Sequence, residues 1–239
     1  MSSERVTQES LLAPAIAAVA VSAMMALGVY ATDARLASQL ALAFRQRLSP
    51  TVFVPSAVIR SLPPLIVALL VAWIGYRLWR LMRGDSGVRA LLASLVLRLV
   101  CLGVSVVLVL VLYATAAAKV TSAVEAGLLL SWIFLPGIIA LAAFLLLALG
   151  LLRSGIVPPW VAWAGVGATV LSGAAAALSA QAMWMAFFAS STQYPSAIQG
   201  LAAVGGRVAW ANNLSSGVYA LFWIALAFAL YTRSAEPTV

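Results

Sequence analysis

The fold is decided by the stretch RLWRLMRGDSGVR, residues 77–89, which lies between two long apolar runs. It carries four of the fourteen basic residues of the chain. Clustered positive charge between two hydrophobic segments is retained on the cytoplasmic side during membrane insertion. The stretch therefore predicts a cytoplasmic turn between two membrane-spanning helices, and this turn orients the rest of the chain.

The composition agrees with this interpretation. The chain has 239 residues, of which 64% are hydrophobic and only 8% are charged, whereas soluble domains carry roughly 25% charged residues. An integral membrane protein is therefore predicted. A net charge of +8 in a soluble protein would indicate nucleic acid, but these arginines flank apolar segments, so we expect contacts with anionic lipid head groups and no nucleic-acid partner.

The residue types that usually carry chemistry are scarce. The chain has no His and a single Cys, Cys101, which lies inside an apolar run and excludes an intramolecular disulfide. None of the six acidic residues falls in the middle of an apolar segment. Without an imidazole or a buried carboxylate, we expect no metal site, no cofactor and no catalytic acid and base. The sequence thus predicts that the protein is not an enzyme.

Six apolar segments are each long enough for a helix that crosses the roughly 30 Å hydrocarbon core. They span about residues 11–31, 57–76, 90–118, 127–152, 159–188 and 208–231. We therefore predict an all-α membrane protein with six transmembrane helices in a single domain, residues 1–239. The basic turn places both termini in the cytoplasm, and residues 189–206 are predicted to be a polar loop outside.

An amphipathic helix is predicted between the first two spans, at residues 33–48. Leu36, Leu40, Phe44 and Leu48 follow the i, i+4 spacing of one helix face, and polar residues occupy the opposite face. Such a helix lies in the outer membrane interface. It could serve as a connector that rests on lipid or as a lid or docking helix.

Two proline-containing segments predict local features. Pro63 and Pro64 near the start of the second span free two backbone carbonyls, so the first turns of this span are expected to be kinked or unwound. In the segment RSGIVPP, residues 153–159, the glycine can close the preceding helix and the prolines can open the next.

Arg60 and Arg98 are the basic residues whose depth in the membrane matters most. Twenty residues separate Arg98 from Lys119, about 30 Å of helix, so Arg98 is expected to be interfacial, with its side chain extended to water. Only sixteen residues separate Arg60 from Arg77, about 24 Å. Arg60 is therefore either an interfacial anchor or part of an outward-facing site for an anion or a lipid head group.

A polar patch is predicted at the outer end of the fifth and sixth spans. Small residues recur along the fifth span and lead to Gln181, while Asn212, Asn213 and Ser216 begin the sixth. These side chains could hydrogen bond across a tight contact between the two helices, with Trp210 and Tyr219 as interfacial anchors. Alternatively, they could form an outward-facing pocket for a small ligand or a lipid head group.

The chain resembles a bacterial family of six-helix integral membrane proteins that is classed as a domain of unknown function. The resemblance rests on Arg60, on Arg98, and on the segment GLLRSGIVP, residues 150–158, followed by WVAWAG, residues 160–165. The chain differs from the family pattern at Pro159, where a basic residue is common. The resemblance implies a six-helix architecture and a location in the bacterial cytoplasmic membrane.

These observations lead to one functional expectation and two alternatives. We expect a non-catalytic membrane protein that binds a lipid, a small ligand or a protein partner, which could be a second copy of the chain. The first alternative is a transporter or channel for a small solute or anion, built around Arg60 and the outer patch. The second is a membrane enzyme, which the absence of an acid and base set disfavours.

The orientation is testable by cysteine labelling in a chain in which Cys101 is replaced by serine. A membrane-impermeant maleimide should label Ser86→Cys only after the cytoplasmic side is opened, because the basic turn is predicted to lie there. Ser122→Cys, beyond the third span, is the matched control and should be labelled on intact cells. Labelling of residue 86 on intact cells would contradict the orientation.

Overall fold

The computed structural model describes residues 8–26, 50–81, 87–117, 134–192 and 195–235. Within these ranges, side chains are described mainly over residues 11–26, 66–81, 87–104, 135–181 and 207–234. Six α-helices account for nearly all of this part of the chain. They are α1 (Gln8–Ala26), α2 (Pro50–Leu81), α3 (Val88–Ala117), α4 (Phe134–Ser154), α5 (Pro159–Thr192) and α6 (Pro195–Ala235).

The all-α prediction is confirmed, since the described ranges contain helices and no strands. Three segments are long and apolar enough to cross a membrane, namely Leu135–Ser154, Pro159–Gln181 and Arg207–Ser234. Leu11–Ala26 is apolar as well but shorter. A membrane-embedded helical bundle is thus supported by the length and composition of three helices.

The predicted polar loop at residues 189–206 is wrong. Helix α5 continues to Thr192 and α6 already begins at Pro195, so nearly all of this segment is helical. Pro195 is well suited to the first turn of a helix. Amide protons of the first turn have no acceptor within the helix, so a proline there loses no hydrogen bond. At 41 residues, α6 is about 60 Å long, roughly twice the hydrocarbon thickness, so its polar first turns need not enter lipid.

The first turns of the second span are predicted to be kinked or unwound at Pro63 and Pro64; unwinding is wrong, and a kink stays a prediction. Helix α2 is helical without interruption from Pro50 to Leu81. Helix propagation is cooperative, so the turns on either side of the prolines hold the backbone in the helix although two hydrogen bonds are lost. The predicted amphipathic helix at residues 33–48 lies outside the described residues and stays a prediction.

The helices form a ring in the order α1, α2, α3, α4, α5, α6. Over the described residues, each helix packs mainly against its neighbours in sequence, and α1 packs against α6 to close the ring. Aromatic side chains of α4 and α6 meet inside it. Because the first and last helices share an extensive contact, the bundle is closed by residues that are far apart in the chain.

The turn between α4 and α5 has the predicted chemistry. Helix α4 ends at Ser154, Gly155 adopts a positive φ of 63°, and α5 begins at Pro159. Glycine is favoured at this position because it has no Cβ to clash in the left-handed conformation. From the last turns of α6, Arg233 Nη1 donates hydrogen bonds to the carbonyl oxygens of Gly155 and Ile156, each at 2.8 Å.

These contacts define one end of the bundle, which we call the basic end. It is formed by the start of α3, the end of α4, the start of α5 and the end of α6. Gly87, just before α3, lies against the Gly150 carbonyl and Ser154 of α4 so closely that a Cβ would not fit there. The basic end therefore gathers Arg89, Arg153 and Arg233, and Arg80 in the last turn of α2 leads to it.

A second close approach lies at Gly165, where three helices meet. A Cβ at this position of α5 would come within 2.7 Å of the Phe222 ring of α6 and 3.0 Å of Ala148 Cβ on α4. Phe222 is fully buried, so its ring has little room to move. Gly165 thus sets the spacing of α4, α5 and α6.

Substitution of this glycine tests the spacing. Gly165→Ala should destabilise the bundle by about 1–3 kcal/mol, because the added methyl group overpacks a buried contact. Gly167→Ala is the matched control: it lies two residues away with open space above its Cα, and alanine should stabilise the helix by up to about 1 kcal/mol. Thermal unfolding in one detergent measures both, and equal shifts would contradict the contact.

Candidate functional site

The predicted outer patch contains a contact between helices α5 and α6. Asn212 Nδ2 donates to Ser179 Oγ at 3.4 Å, and Ser179 donates to the Ala175 carbonyl one turn earlier at 2.9 Å. Asn212 is half-buried and Ser179 is buried. This pair links the two helices near the ends of their apolar segments, Pro159–Gln181 and Arg207–Ser234.

Further hydrogen bonds tie α6 to its neighbours closer to the centre. The hydroxyls of Ser172 and Ser215 are 2.5 Å apart across the contact between α5 and α6. On the other side of α6, Ser22 of α1 donates to the Ala220 carbonyl at 2.7 Å. In lipid, where no hydrophobic drive brings helices together, such small polar side chains hold close contacts. These serines therefore have a packing role.

The other residues predicted for the patch are not brought together. The side chains of Gln181 and Asn213 are exposed and Ser216 is half-buried. Trp210 is 68% exposed, as expected of a residue that could lie in a membrane interface. The predicted patch thus divides into an interhelical contact and an exposed surface. Arg60 belongs to α2, but its side chain lies outside the described residues, so its role stays a prediction.

An aromatic cluster fills the middle of the bundle. The Phe144 ring of α4 lies 4.5 Å from the Tyr219 ring, 5.0 Å from Phe222 and 6.0 Å from Trp223, measured between centroids. Tilted and edge-on pairs at these distances are favourable because ring edges meet ring faces. The expected anchor role of Tyr219 is wrong, since its side chain is only 5% exposed and packs on Phe144 instead of facing an interface.

Arg98 extends from α3 to this cluster. Its guanidinium carbon is 5.9 Å from the Phe144 ring centroid. Two hydrogen bonds fix the register of α3 on α4 around it: Ser94 donates to the Ala143 carbonyl at 2.6 Å and the Cys101 thiol donates to the Pro136 carbonyl at 3.2 Å. The guanidinium is therefore held at the level of Phe144.

That level lies well inside the bundle. Phe144 is ten residues before the end of α4 at Ser154, and Arg98 is ten residues after the start of α3 at Val88. Each is therefore about 15 Å of helix from the basic end. The interfacial position predicted for Arg98 refers to a membrane and stays a prediction, but its place in the bundle is central.

The described side chains make the bundle electropositive. They include no Asp or Glu, and they include seven arginines, at positions 77, 80, 89, 98, 153, 207 and 233. Beside Phe144, the fully buried Trp223 has an indole Nε1 without a hydrogen-bond partner in the described part of the chain. The centre of the bundle thus offers a cation, an indole N–H donor and aromatic faces. Among the described residues, no three His, Cys, Asp or Glu side chains form a group that could hold a metal ion.

The sequence alone gave little indication of this centre. Phe144 is one apolar residue among many in α4, and nothing in its neighbourhood distinguishes it. The informative signal was the spacing of Ser94, Arg98 and Cys101, which places three polar side chains on one face of α3. That face turned out to be the one that contacts α4.

Removal of the central ring tests the cluster. Phe144→Ala should lower the free energy of unfolding by about 3–5 kcal/mol, because a fully buried ring leaves a cavity. Ile138→Ala on the same helix is the matched control, since Ile138 is 62% exposed and leaves no cavity. Unfolding of the purified protein in mixed micelles with increasing dodecyl sulfate gives both values. A Phe144 variant as stable as the control would contradict the central role of the ring.

No protein-family model, curated protein or solved structure matches this chain.

Proposed function

We propose that this protein is a multi-pass membrane protein that binds a lipid, a small ligand or a protein partner without converting it chemically. The observation that carries the proposal is the place of Arg98 beside Phe144, about 15 Å of helix from the basic end. A charge at mid-membrane is costly and occurs mainly where a protein has a use for it, so such a residue indicates function by default.

Six spans are proposed in place of the three that meet the length and apolarity requirement over described residues. Helices α2 and α3 have 32 and 30 residues, about 48 and 45 Å, which exceeds the hydrocarbon thickness. Helix α1 is apolar from Leu11 to Ala26 and packs on α6. The six helices form one closed ring. Where three of them span the bilayer, the other three therefore lie beside them in the bilayer.

The basic end supports an orientation for the bundle. Arg80, Arg89, Arg153 and Arg233 lie at or near the same end of the bundle, and basic residues flanking spans are retained in the cytoplasm. We propose that both termini are cytoplasmic and that the membrane is the bacterial cytoplasmic membrane, as the resemblance to the six-helix bacterial family implies. Lipids are the expected partners at the basic end, where guanidinium groups can contact anionic head groups.

Binding is favoured over catalysis by what the polar side chains do. Ser172, Ser215 and Ser179 are engaged in contacts between or within helices. Arg98 lies against an aromatic ring in the centre, and a permanently charged guanidinium binds anions well but transfers protons poorly. A partner protein, including a second copy of this chain, would have to use the exposed apolar faces of the helices.

Two measurements test the proposal on the full chain. The protein should remain with the membrane fraction in alkaline carbonate, because a multi-pass helical bundle is not a peripheral protein. Extracted with its surrounding lipid into polymer-bounded discs and examined by native mass spectrometry, it should retain a bound lipid, small molecule or protein through an exchange into detergent. A protein that stays in the membrane, remains folded and retains nothing would contradict the binding function.

A further inference from the structure

Helix α2 has one buried and one exposed face over its last four turns. The buried side chains follow helical i, i+4 and i, i+3 spacing and belong to the core of the bundle; they are Val67, Val71, Ile74 and Leu78. The opposite side of the helix carries Ile66, Leu69, Trp73, Tyr76 and Arg80, which are exposed, and Arg77, which is half-buried at its edge. We call these six residues the exposed face of α2.

The chemical character of this face changes in one direction along the helix. The apolar Ile66 and Leu69 come first, the aromatic Trp73 and Tyr76 follow, and Arg80 comes last, near the basic end. From first to last this is about 21 Å of helix. One leaflet of a bilayer measures about 20–22 Å from its midplane to the limit of the head groups. It presents acyl chains, then the interface that Trp and Tyr prefer, then head groups. The face therefore matches one leaflet in order and length.

Arg77 lies one turn after Trp73, where the aromatic part of the face meets the basic part. Its guanidinium carbon is 5.7 Å from the Trp73 ring centroid, within the range of a cation–π contact. Within the described part of the chain, no hydrogen bond or ion pair engages this guanidinium, and its Nε atom is buried without a partner. The N–H donors of arginine lie in the plane of the group, so a ring on its face does not use them.

Arg80 adds a second charge on the same side. Residues three apart on a helix are neighbours, with about 5–6 Å between their Cβ atoms, so Arg77 and Arg80 form a pair of cations at the end of the face. A guanidinium matches the oxygens of a phosphate group. Two of them favour an anionic head group over a zwitterionic one, because the ammonium group of the latter cancels the net attraction.

We propose that the exposed face of α2 binds an anionic phospholipid of the leaflet at the basic end. Arg77 and Arg80 hold its phosphate group, and its acyl chains lie along the apolar and aromatic part of the face. The inference rests on the proposed function, because it requires α2 to lie in a bilayer. It adds the surface, the residues that select the head group and the chemical class of the lipid.

The test uses the full chain in micelles that contain equal amounts of phosphatidylglycerol and phosphatidylcholine with identical acyl chains. Native mass spectrometry gives the ratio of the two lipids bound to the protein. Wild-type protein should prefer phosphatidylglycerol by at least about tenfold, the size expected for a charge-assisted hydrogen bond. Arg77→Gln should lower this ratio at least about fivefold, and Arg77→Lys should lower it less, since lysine keeps the charge but not the planar fork.

Arg207→Gln is the matched control, because Arg207 is an exposed arginine near the start of the apolar segment of α6, away from the basic end. It removes the same charge, and the ratio should stay within about twofold of the wild type, as expected for a screened surface charge. A folded Arg77→Gln variant with the wild-type ratio would overturn the proposal. An equally large loss in Arg89→Gln, on α3, would overturn the assignment to α2.

A second measurement needs no substitution and covers the case in which the Arg77 variants do not fold. Phosphatidylglycerol with a photoactivatable acyl chain, added to wild-type protein in phosphatidylcholine vesicles, should label residues 66–81 of α2 more strongly than photoactivatable phosphatidylcholine does. Equal labelling by the two lipids, or labelling confined to other helices, would overturn the proposal. Release of the chain from membranes by alkaline carbonate would instead refute the proposed function, so the two failures are distinguishable.

Discussion

The packing of the Phe144 ring against α6 is the contact on which the rest of the bundle depends. Phe144 meets Tyr219, Phe222 and Trp223 at mid-height, and Gly165 lets α5 approach closely enough to touch Phe222. In lipid the apolar side chains of a helix gain little by leaving the solvent, so close packing and edge-to-face ring contacts supply much of the association. Three helices are held by this one set of contacts, and α3 docks on α4 beside it.

The polar contacts at the basic end differ from those inside the bundle. At the basic end, Arg233 donates to backbone carbonyls in the turn between α4 and α5, where the last carbonyls of a helix lack intrahelical donors. Inside the bundle, serine hydroxyls bond to carbonyls or to each other, as between Ser172 and Ser215. Arg98 is the exception, because it brings a full charge to the central level. Small hydroxyl groups suit close packing between helices, but a charged guanidinium is costly to bury. This cost is the reason for assigning a binding role to Arg98.

The accuracy of the sequence-based predictions followed the range of the interactions involved. The helix break at Gly155 is local: a glycine after an apolar run and prolines a few residues later are sufficient to specify it. The polar loop predicted before the sixth span failed because polarity was taken to exclude a helix, whereas polar residues are compatible with helix where α6 extends beyond the apolar layer. The anchor role predicted for Tyr219 failed for a related reason. A tyrosine side chain occurs both in membrane interfaces and packed against buried rings, so its residue type does not decide between them. Gln181 of α5 lies two residues from Ser179, the partner of Asn212, but its side chain is exposed, because helix rotation depends on the packing of the whole ring.

The sequence by itself determined that the chain is helical and apolar, where its helices turn at residues 77–89 and 153–159, and that it contains no His and a single Cys. These properties depend on composition and on neighbours in the chain, so they need no tertiary information. Only the tertiary structure decided that α1 closes the ring on α6, that Phe144 lies at its centre and that Arg98 is level with this ring. Helix–helix register is set by the fit of side chains that are distant in sequence, such as Ser94 on the carbonyl of Ala143. In a sequence composed almost entirely of apolar residues, many registers look alike until the packing selects one.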